Sequence, residues 1–277
     1  MQYIELAPGI KSSAIAFGCA PIRGAVSQAR AQRAIDVALE QGVTHFDLAR
    51  SYGYGQAEKA VGKILGARRQ RVVIASKFGI EATPQAKLMQ FLKPVVRGLR
   101  SLKNNKKASS PASGSNNLGA LNSLLIRRLV INEKNMRLSL EKSLQNLKTD
   151  CIDHFFVHEP EGVIQNSDLL FERAEQLKRE GKIRAFGLAS PSENLHLHRD
   201  YLKRFDVVQL SFNPQQIAFN EVVNEKPTIF FSVNRSNPSS GDRAGTLKTI
   251  LQTYPQSVVI LSMFTPKHIL ENCAQSV

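Results

Sequence analysis

CIDHFFVHEPEGVIQNSDLLFERAEQLKREGKIRAFGLAS, residues 151–190, decides the fold. Its ends, CIDHFFVHE (151–159) and IRAFGLAS (183–190), are short apolar runs of the kind that fill strands buried on both faces. Between them NSDLLFERAEQLKREGK (166–182) carries apolar residues at helical spacing, with Ser167 or Asp168 as its cap. Strand, helix and strand joined by short connections make a parallel pair with a right-handed crossover.

The same rhythm runs outward in both directions. Upstream, SAIAFGCA (13–20), HFDLA (45–49) and RVVIASKF (71–78) read as strands. AQRAIDVALEQG (31–42), GQAEKAVGKILG (55–66) and NEKNMRLSLEKSLQNLK (132–148) read as helices. Downstream, DVVQLSFN (206–213), KPTIFFSV (226–233) and SVVILSMF (257–264) are strands, while 193–204, 241–255 and 265–275 read as helices. That makes eight strands, with only the connection after 206–213 lacking a clear helix. Eight such units in this length predict a closed (β/α)8 TIM barrel. The first strand-to-helix turn, GCAPIRG, lacks the glycine pattern of an open dinucleotide-binding sheet. The opening MQYIELAPGIKSS predicts an N-terminal hairpin turning at Pro8-Gly9 under the barrel floor.

The chain is expected to form a single barrel domain over 1–277, interrupted by an insertion after the third strand at 81–131. Its middle, KNNKKASSPASGSNN, is polar and low in complexity, so a mobile basic segment is expected. Seven Lys and Arg stand against one acid over 81–117, a large share of the overall charge of +14. Apart from Phe91 the segment has no aromatic residue to stack on a base, which argues against a nucleic-acid partner. Because the insertion leaves a strand's C-terminal end, it lies on the face where barrel side chains converge.

At 42% hydrophobic and 22% charged, the composition excludes a wholly disordered chain. No apolar run is long enough to span a membrane, and the N-terminus does not read as a signal peptide. Three scattered cysteines, Cys19, Cys151 and Cys273, form neither a disulfide framework nor a zinc ribbon. A reducing cytoplasm is the expected setting.

The barrel rule sends side chains at the C-terminal strand ends to one mouth. Asp47, Lys77 and His158 end the second, third and fourth strands, and Tyr52 lies just beyond Asp47. A carboxylate, an ammonium, an imidazole and a phenol in one pocket can deliver a proton to an oxygen that gains negative charge. The ammonium is expected to lower the phenol pKa and the carboxylate to hold the ammonium in place. Each residue also has a plainer reading: Asp47 as a turn residue, His158 as a structural histidine, and Tyr52 as no different from the nearby Tyr54.

The motifs FDLARSYGYGQAEKAVG (46–62), VVIASKFG (72–79), CIDHFFVHEP (151–160), GKIRAFGLAS (181–190) and VVQLSFNP (207–214) resemble those of the aldo-keto reductase superfamily. The resemblance runs from about residue 10 to 275, outside the insertion. It implies NAD(P)H-dependent reduction of an aldehyde or ketone, with Tyr52 as general acid, Lys77 and Asp47 tuning it, and His158 positioning the carbonyl. It also selects Tyr52 over Tyr54.

The resemblance implies a nucleotide site too. Gln209 matches the glutamine that holds the nicotinamide amide, and Phe231, next to Phe230, falls where an aromatic ring stacks on the nicotinamide. Ser190 follows Ala189 where the family has Ser-Asn. Ser232 and Arg235 lie in the pyrophosphate loop, although SVNRSNP departs from the usual pattern. Glu271 and Asn272 match the adenine end. Ser262 and His268 replace residues that grip the 2′-phosphate, Lys267 is adjacent, and Gly18 completes the set. NADPH is the expected cofactor, with NADH left open; Cys19 could face it, although a small buried packing residue is its plainer reading. The expected partner is a small carbonyl compound, with no membrane.

Two other functions fit the residues. His45 and Asp47 alternate on one strand and His154 and His158 share a face of another, a pattern also found in metal-dependent hydrolase barrels. The altered Ala189-Ser190 pair would also suit a non-catalytic nicotinamide-nucleotide-binding regulatory protein.

Overall fold

The computed structural model describes residues 1–86, 125–233 and 243–276. Eight parallel strands close into a barrel in the order β3 (Ile15–Gly18), β4 (His45–Asp47), β5 (Val73–Phe78), β8 (Ile152–His158), β9 (Ile183–Ser190), β10 (Val207–Ser211), β11 (Thr228–Phe231) and β12 (Ser257–Leu261), with β12 pairing back onto β3. Every residue of β5 and β8 is buried, as expected for strands with barrel interior on one face and helices on the other.

β1 (Tyr3–Ala7) and β2 (Ile10–Ser13) form the expected hairpin below the barrel. Ser12 reaches the Nδ1 of His45 at 2.9 Å, and the Arg184 guanidinium donates to the Gly9 carbonyl, fastening the hairpin to two strands.

The helices around the barrel are α1 (Gln28–Glu40), α2 (Ala57–Leu65), α3 (Glu133–Leu147), α4 (Ser167–Arg179), α5 (Ile217–Glu225), α6 (Arg243–Thr253) and α7 (Pro266–Cys273). Local chemistry sets their ends. Asn132 caps α3 by accepting from the Asn135 amide, and Thr265 caps α7 by accepting from that of His268. After β10, where no clear helix was expected, α5 forms and buries Phe219 and Val222. The stretch 193–204, expected as a helix, is instead two short 3-10 turns, Ser192–His198 and Leu202–Arg204. Leu195, Tyr201 and Leu202 are buried in this stretch, and the Tyr201 hydroxyl meets His198 and the Ile164 amide.

Most of the expected insertion, 87–124, lies outside the described residues. Its base is ordered as an antiparallel ladder between β6 (Ile80–Ala82) and β7 (Ile126–Arg128). Arg127 pairs with the buried Glu81 across this ladder. Among the described residues no helix is long and apolar enough to cross a membrane.

Candidate active site

The strand register brings the expected residues to one level. Gly18 pairs with Asp47, His158 with Ala189, and Ala189 with Gln209. Lys77 sits one residue before the end of β5. Its Nζ donates to Asp47 Oδ1 at 2.6 Å, the Leu48 carbonyl at 2.9 Å and Tyr52 Oη at 3.3 Å. Those three contacts use all three ammonium hydrogens. Lys77 and Asp47 are only 1% and 3% exposed, so each is the other's counter-ion. The Tyr52 ring meets the His158 ring edge to face, with centroids 6.2 Å apart.

Tyr52 owes its place to a tight turn. Gly53 has a φ of +56°, and a Cβ there would lie 2.0 Å from the Ile22 carbonyl oxygen. Only glycine lets the chain double back this close to the loop after β3. The neighbouring Tyr54 is also held at positive φ, and it is Tyr52 whose hydroxyl meets Lys77.

The electrostatics correct one expectation. Lys77 does not bring the Tyr52 phenol below its ordinary range. Burial, then the negative charges of Asp47 and Glu159, hold it well above the usual tyrosine value of about 10. Burial also raises the Asp47 carboxyl, against the pull of Lys77 and hydrogen bonds from Lys77, Gln209 and Tyr52. His158 is pushed well below the ordinary histidine value by burial, then by the charges of Lys77 and Arg128, so its ring is neutral. The site therefore holds one ion pair, a protonated phenol and a neutral imidazole.

The residues expected to hold a nucleotide fall into two groups. Gln209 is buried on β10, and its Oε1 has no partner. Phe231 and Ser232 line an open cleft of about 1030 Å³ with Glu159, Pro191, Ser211 and Phe212. The neighbouring Phe230 is fully buried and packs against Phe219 and Tyr254, so Phe231 is the ring on the cleft. Ser190 is buried, with its hydroxyl donating to the Pro191 carbonyl. At the other end of the mouth, the Ser262 hydroxyl donates to the Gly18 carbonyl at 3.3 Å. Lys267, His268 and Glu271 are exposed on α7, and Asn272 donates to the Met263 sulfur. Arg235 lies outside the described residues.

The buried Gln209 oxygen and the half-buried Phe231 ring fit a nicotinamide: one would accept from its amide and the other would cover its face. Cys19 is fully buried, and burial followed by the Asp47 charge pushes its thiol up.

Glu159 is a site residue that the sequence reading missed. It directly follows His158, has a φ of +44°, lines the cleft and acts electrostatically on Tyr52. The strand-end rule could have found it. Arg128, on β7, was missed because the ladder at the insertion base was not foreseen. It donates to the Glu159 carbonyl and pairs with Glu161 at 2.8 Å. These residues border a small cavity of about 200 Å³ beside His158. A larger open groove on the outside of the barrel, around Glu172 of α4 and Arg204 of the second 3-10 turn, touches none of the site residues.

His45 and His154 lie deeper in the barrel, stacked with centroids 5.6 Å apart. Among the described residues no group of three or more His, Cys, Asp or Glu side chains could hold a metal ion. Nothing in the geometry therefore favours the hydrolase reading.

A closed parallel barrel with Tyr52, Lys77, Asp47 and His158 gathered at its mouth is the arrangement that places the chain among (β/α)8 barrel proteins. Residues 14–228 match the model of the Aldo/keto reductase family, and the chain belongs to that family. It is 28% identical over 197 residues to the aldo-keto reductase YhdN of Bacillus subtilis, covering 69% of this chain and 47% of that one. It is 25% identical over 206 residues to the aldo-keto reductase yakc [NADP(+)] of Schizosaccharomyces pombe, covering 73% and 49%. The chain thus spans about half the length of the curated relatives it matches. The fold is similar to that of an aldo-keto reductase from Klebsiella pneumoniae solved with NADPH: the TM-score is 0.69 at 17% identity, covering 99% of this chain and 89% of that one.

Proposed function

We propose that the chain is an NADPH-dependent reductase of an aldehyde or ketone. The observation that carries this reading is the contact of Lys77 Nζ with both Asp47 and Tyr52 Oη, beside a neutral His158 ring. NADPH is preferred over NADH because one relative is named for NADP(+) and one structural neighbour was solved with NADPH. When bound, the nucleotide would supply the hydride.

Gln209 would hold the nicotinamide amide, Phe231 would cover the ring, and Ser190 would border it. Ser232 would face the pyrophosphate, with Arg235, outside the described residues, as a further candidate, and Gly18 would border the nucleotide. Ser262, Lys267, His268, Glu271 and Asn272 would hold the adenosine end. In the proposed reaction His158 donates a hydrogen bond to the substrate oxygen and fixes its direction. Tyr52 gives that oxygen its proton as negative charge builds there, and Lys77 stabilises the phenolate left behind. Asp47 keeps Lys77 in place. A single barrel domain in a reducing cytoplasm suits this reading.

The test is NADPH oxidation with a panel of aldehydes and ketones, alongside nucleotide titration by fluorescence. Tyr52→Phe should bind NADPH as the wild type does and lose at least about 100-fold in turnover. Wild-type turnover in that variant would refute the role of Tyr52. Tight NADPH binding without turnover of any carbonyl would instead favour a nucleotide-binding regulatory protein.

A further inference from the structure

The Tyr52 and Lys77 side chains meet, but they arrive on separate stretches of chain, the loop after β4 and strand β5. A single buried carboxylate fastens both stretches. Glu58, on α2, is 1% exposed and both its oxygens are engaged. Its Oε2 accepts from Arg50 Nη1 at 2.6 Å and from Asn146 Nδ2 at 3.1 Å, and its Oε1 accepts from the Ser76 hydroxyl at 2.7 Å. Arg50 lies in the loop between Asp47 and Tyr52, and Ser76 directly precedes Lys77. We infer that Glu58 is a positioning residue that sets the reach between Tyr52 and Lys77 by clamping Arg50 and Ser76 together. This inference rests on the reductase reading above.

Strand alternation explains the arrangement. Lys77 turns into the barrel mouth, so Ser76 turns outward to the helix layer where Glu58 waits. Four residues beyond Glu58 on the same helix face is Gly62, and a Cβ there would lie 2.5 Å from the Leu147 carbonyl oxygen. The bare glycine lets α2 settle against the end of α3, which brings Asn146 to Glu58.

Stability alone does not account for such a knot. A buried ion pair gives little net stabilisation over apolar residues of the same volume. The Arg50 Nε moreover has no partner, although Arg50 is only 6% exposed. The knot does, however, hold the residues that flank two groups whose separation governs proton delivery.

The experiment compares the wild type with the double variant Arg50→Met/Glu58→Met, which removes both charges and leaves neither buried alone. The clamp predicts a folded protein whose kcat falls about 10- to 100-fold, while the KM values for NADPH and carbonyl change less than about threefold. It also predicts faster amide hydrogen exchange confined to residues 48–53, a readout that needs no turnover. An unchanged kcat and unchanged exchange in the folded double variant would overturn it. Should that variant fail to fold, Ser76→Ala removes one tie and Ser76→Thr keeps the hydroxyl. A kcat that falls in the first and recovers in the second supports the clamp, and equal values in both overturn it. A wild type that reduces no carbonyl would sink the reductase reading, and the exchange measurement would still decide whether Glu58 clamps the loop.

Discussion

Replacing His154 with leucine should make the protein less sensitive to acid, by an amount that follows from burial. His154 is completely buried in the barrel, and neither ring nitrogen has a hydrogen-bond partner. Burial pushes its pKa down to about 4, with the Asp153 charge opposing. In the unfolded chain the same ring titrates near about 6.5. The unfolded state therefore takes up a proton first as pH falls, and folding loses free energy through that window. Stability is fully present above about pH 6.5 and is lost progressively toward pH 4. The linkage relation gives a loss of about 2 kcal/mol between pH 7 and pH 5 from this residue alone.

His45 adds to the effect, because it is depressed by burial and then by His154 itself. His154→Leu thus removes one depressed group and relaxes another. It also deletes two buried nitrogens without partners, so it should not weaken the protein near pH 7. Urea unfolding followed by circular dichroism at several pH values measures this directly. The wild type should lose about 2 kcal/mol more than the variant between pH 7 and pH 5. Parallel pH dependences would show that His154 is not held neutral by burial, and the reasoning would fail.

Gly53→Ala should cost roughly 1–3 kcal/mol in urea unfolding, because its φ of +56° and the close Ile22 carbonyl leave no room for a methyl group. Turnover should fall further than stability, since Tyr52 is its neighbour; an unperturbed variant would refute the tight turn. Lys77→Met leaves Asp47 buried without its cation and should destabilise the fold by roughly 3–5 kcal/mol. Adding Asp47→Leu should recover most of that loss without restoring turnover, and failure to recover would argue against the ion pair. The pH profile of kcat/KM should be flat between about pH 6.5 and pH 10. Tyr52 must keep its proton and is raised above that range, whereas His158 must stay neutral and is depressed below it. A Tyr52 ionisation near neutral pH would contradict the first direction, and a His158 ionisation there the second.

The barrel was legible because most residues of the parallel strands are buried and so read as short, mainly apolar runs, as VVIA does before Ser76 and Lys77. The candidate cluster was legible for the same reason: Lys77 and His158 are polar residues at or next to the ends of such runs, at the barrel mouth. The stretch 193–204 misled because two leucines at helical spacing suggest a helix, while the fold there is set by the Tyr201 and His198 contact. The β6–β7 ladder was hidden because its two short strands are separated by more than forty residues. The pairing of Glu58 with Arg50 and Ser76 was equally invisible, since it depends on how closely α2 settles onto its neighbours.

The correction to the Tyr52 pKa changes how the site divides its labour. Asp47 accepts from Lys77, Gln209 and Tyr52 together, so it collects the donors of the mouth rather than serving Lys77 alone. Lys77 donates to Tyr52 Oη, and this lone-pair contact leaves the phenol hydrogen free to point to Asp47 in the resting protein. For a carbonyl oxygen to receive that hydrogen, the phenol has only to swing its O–H away from the carboxylate, keeping its contact with Lys77. In the proposed reaction the lysine would act after the proton has left, on the phenolate, when burial makes its charge most effective. A resting phenol with an ordinary pKa would gain little from the ammonium. A phenol held well above 10 would need it more in the proposed reaction, so the 3.3 Å approach of Lys77 to Tyr52 would matter most once the proton has gone.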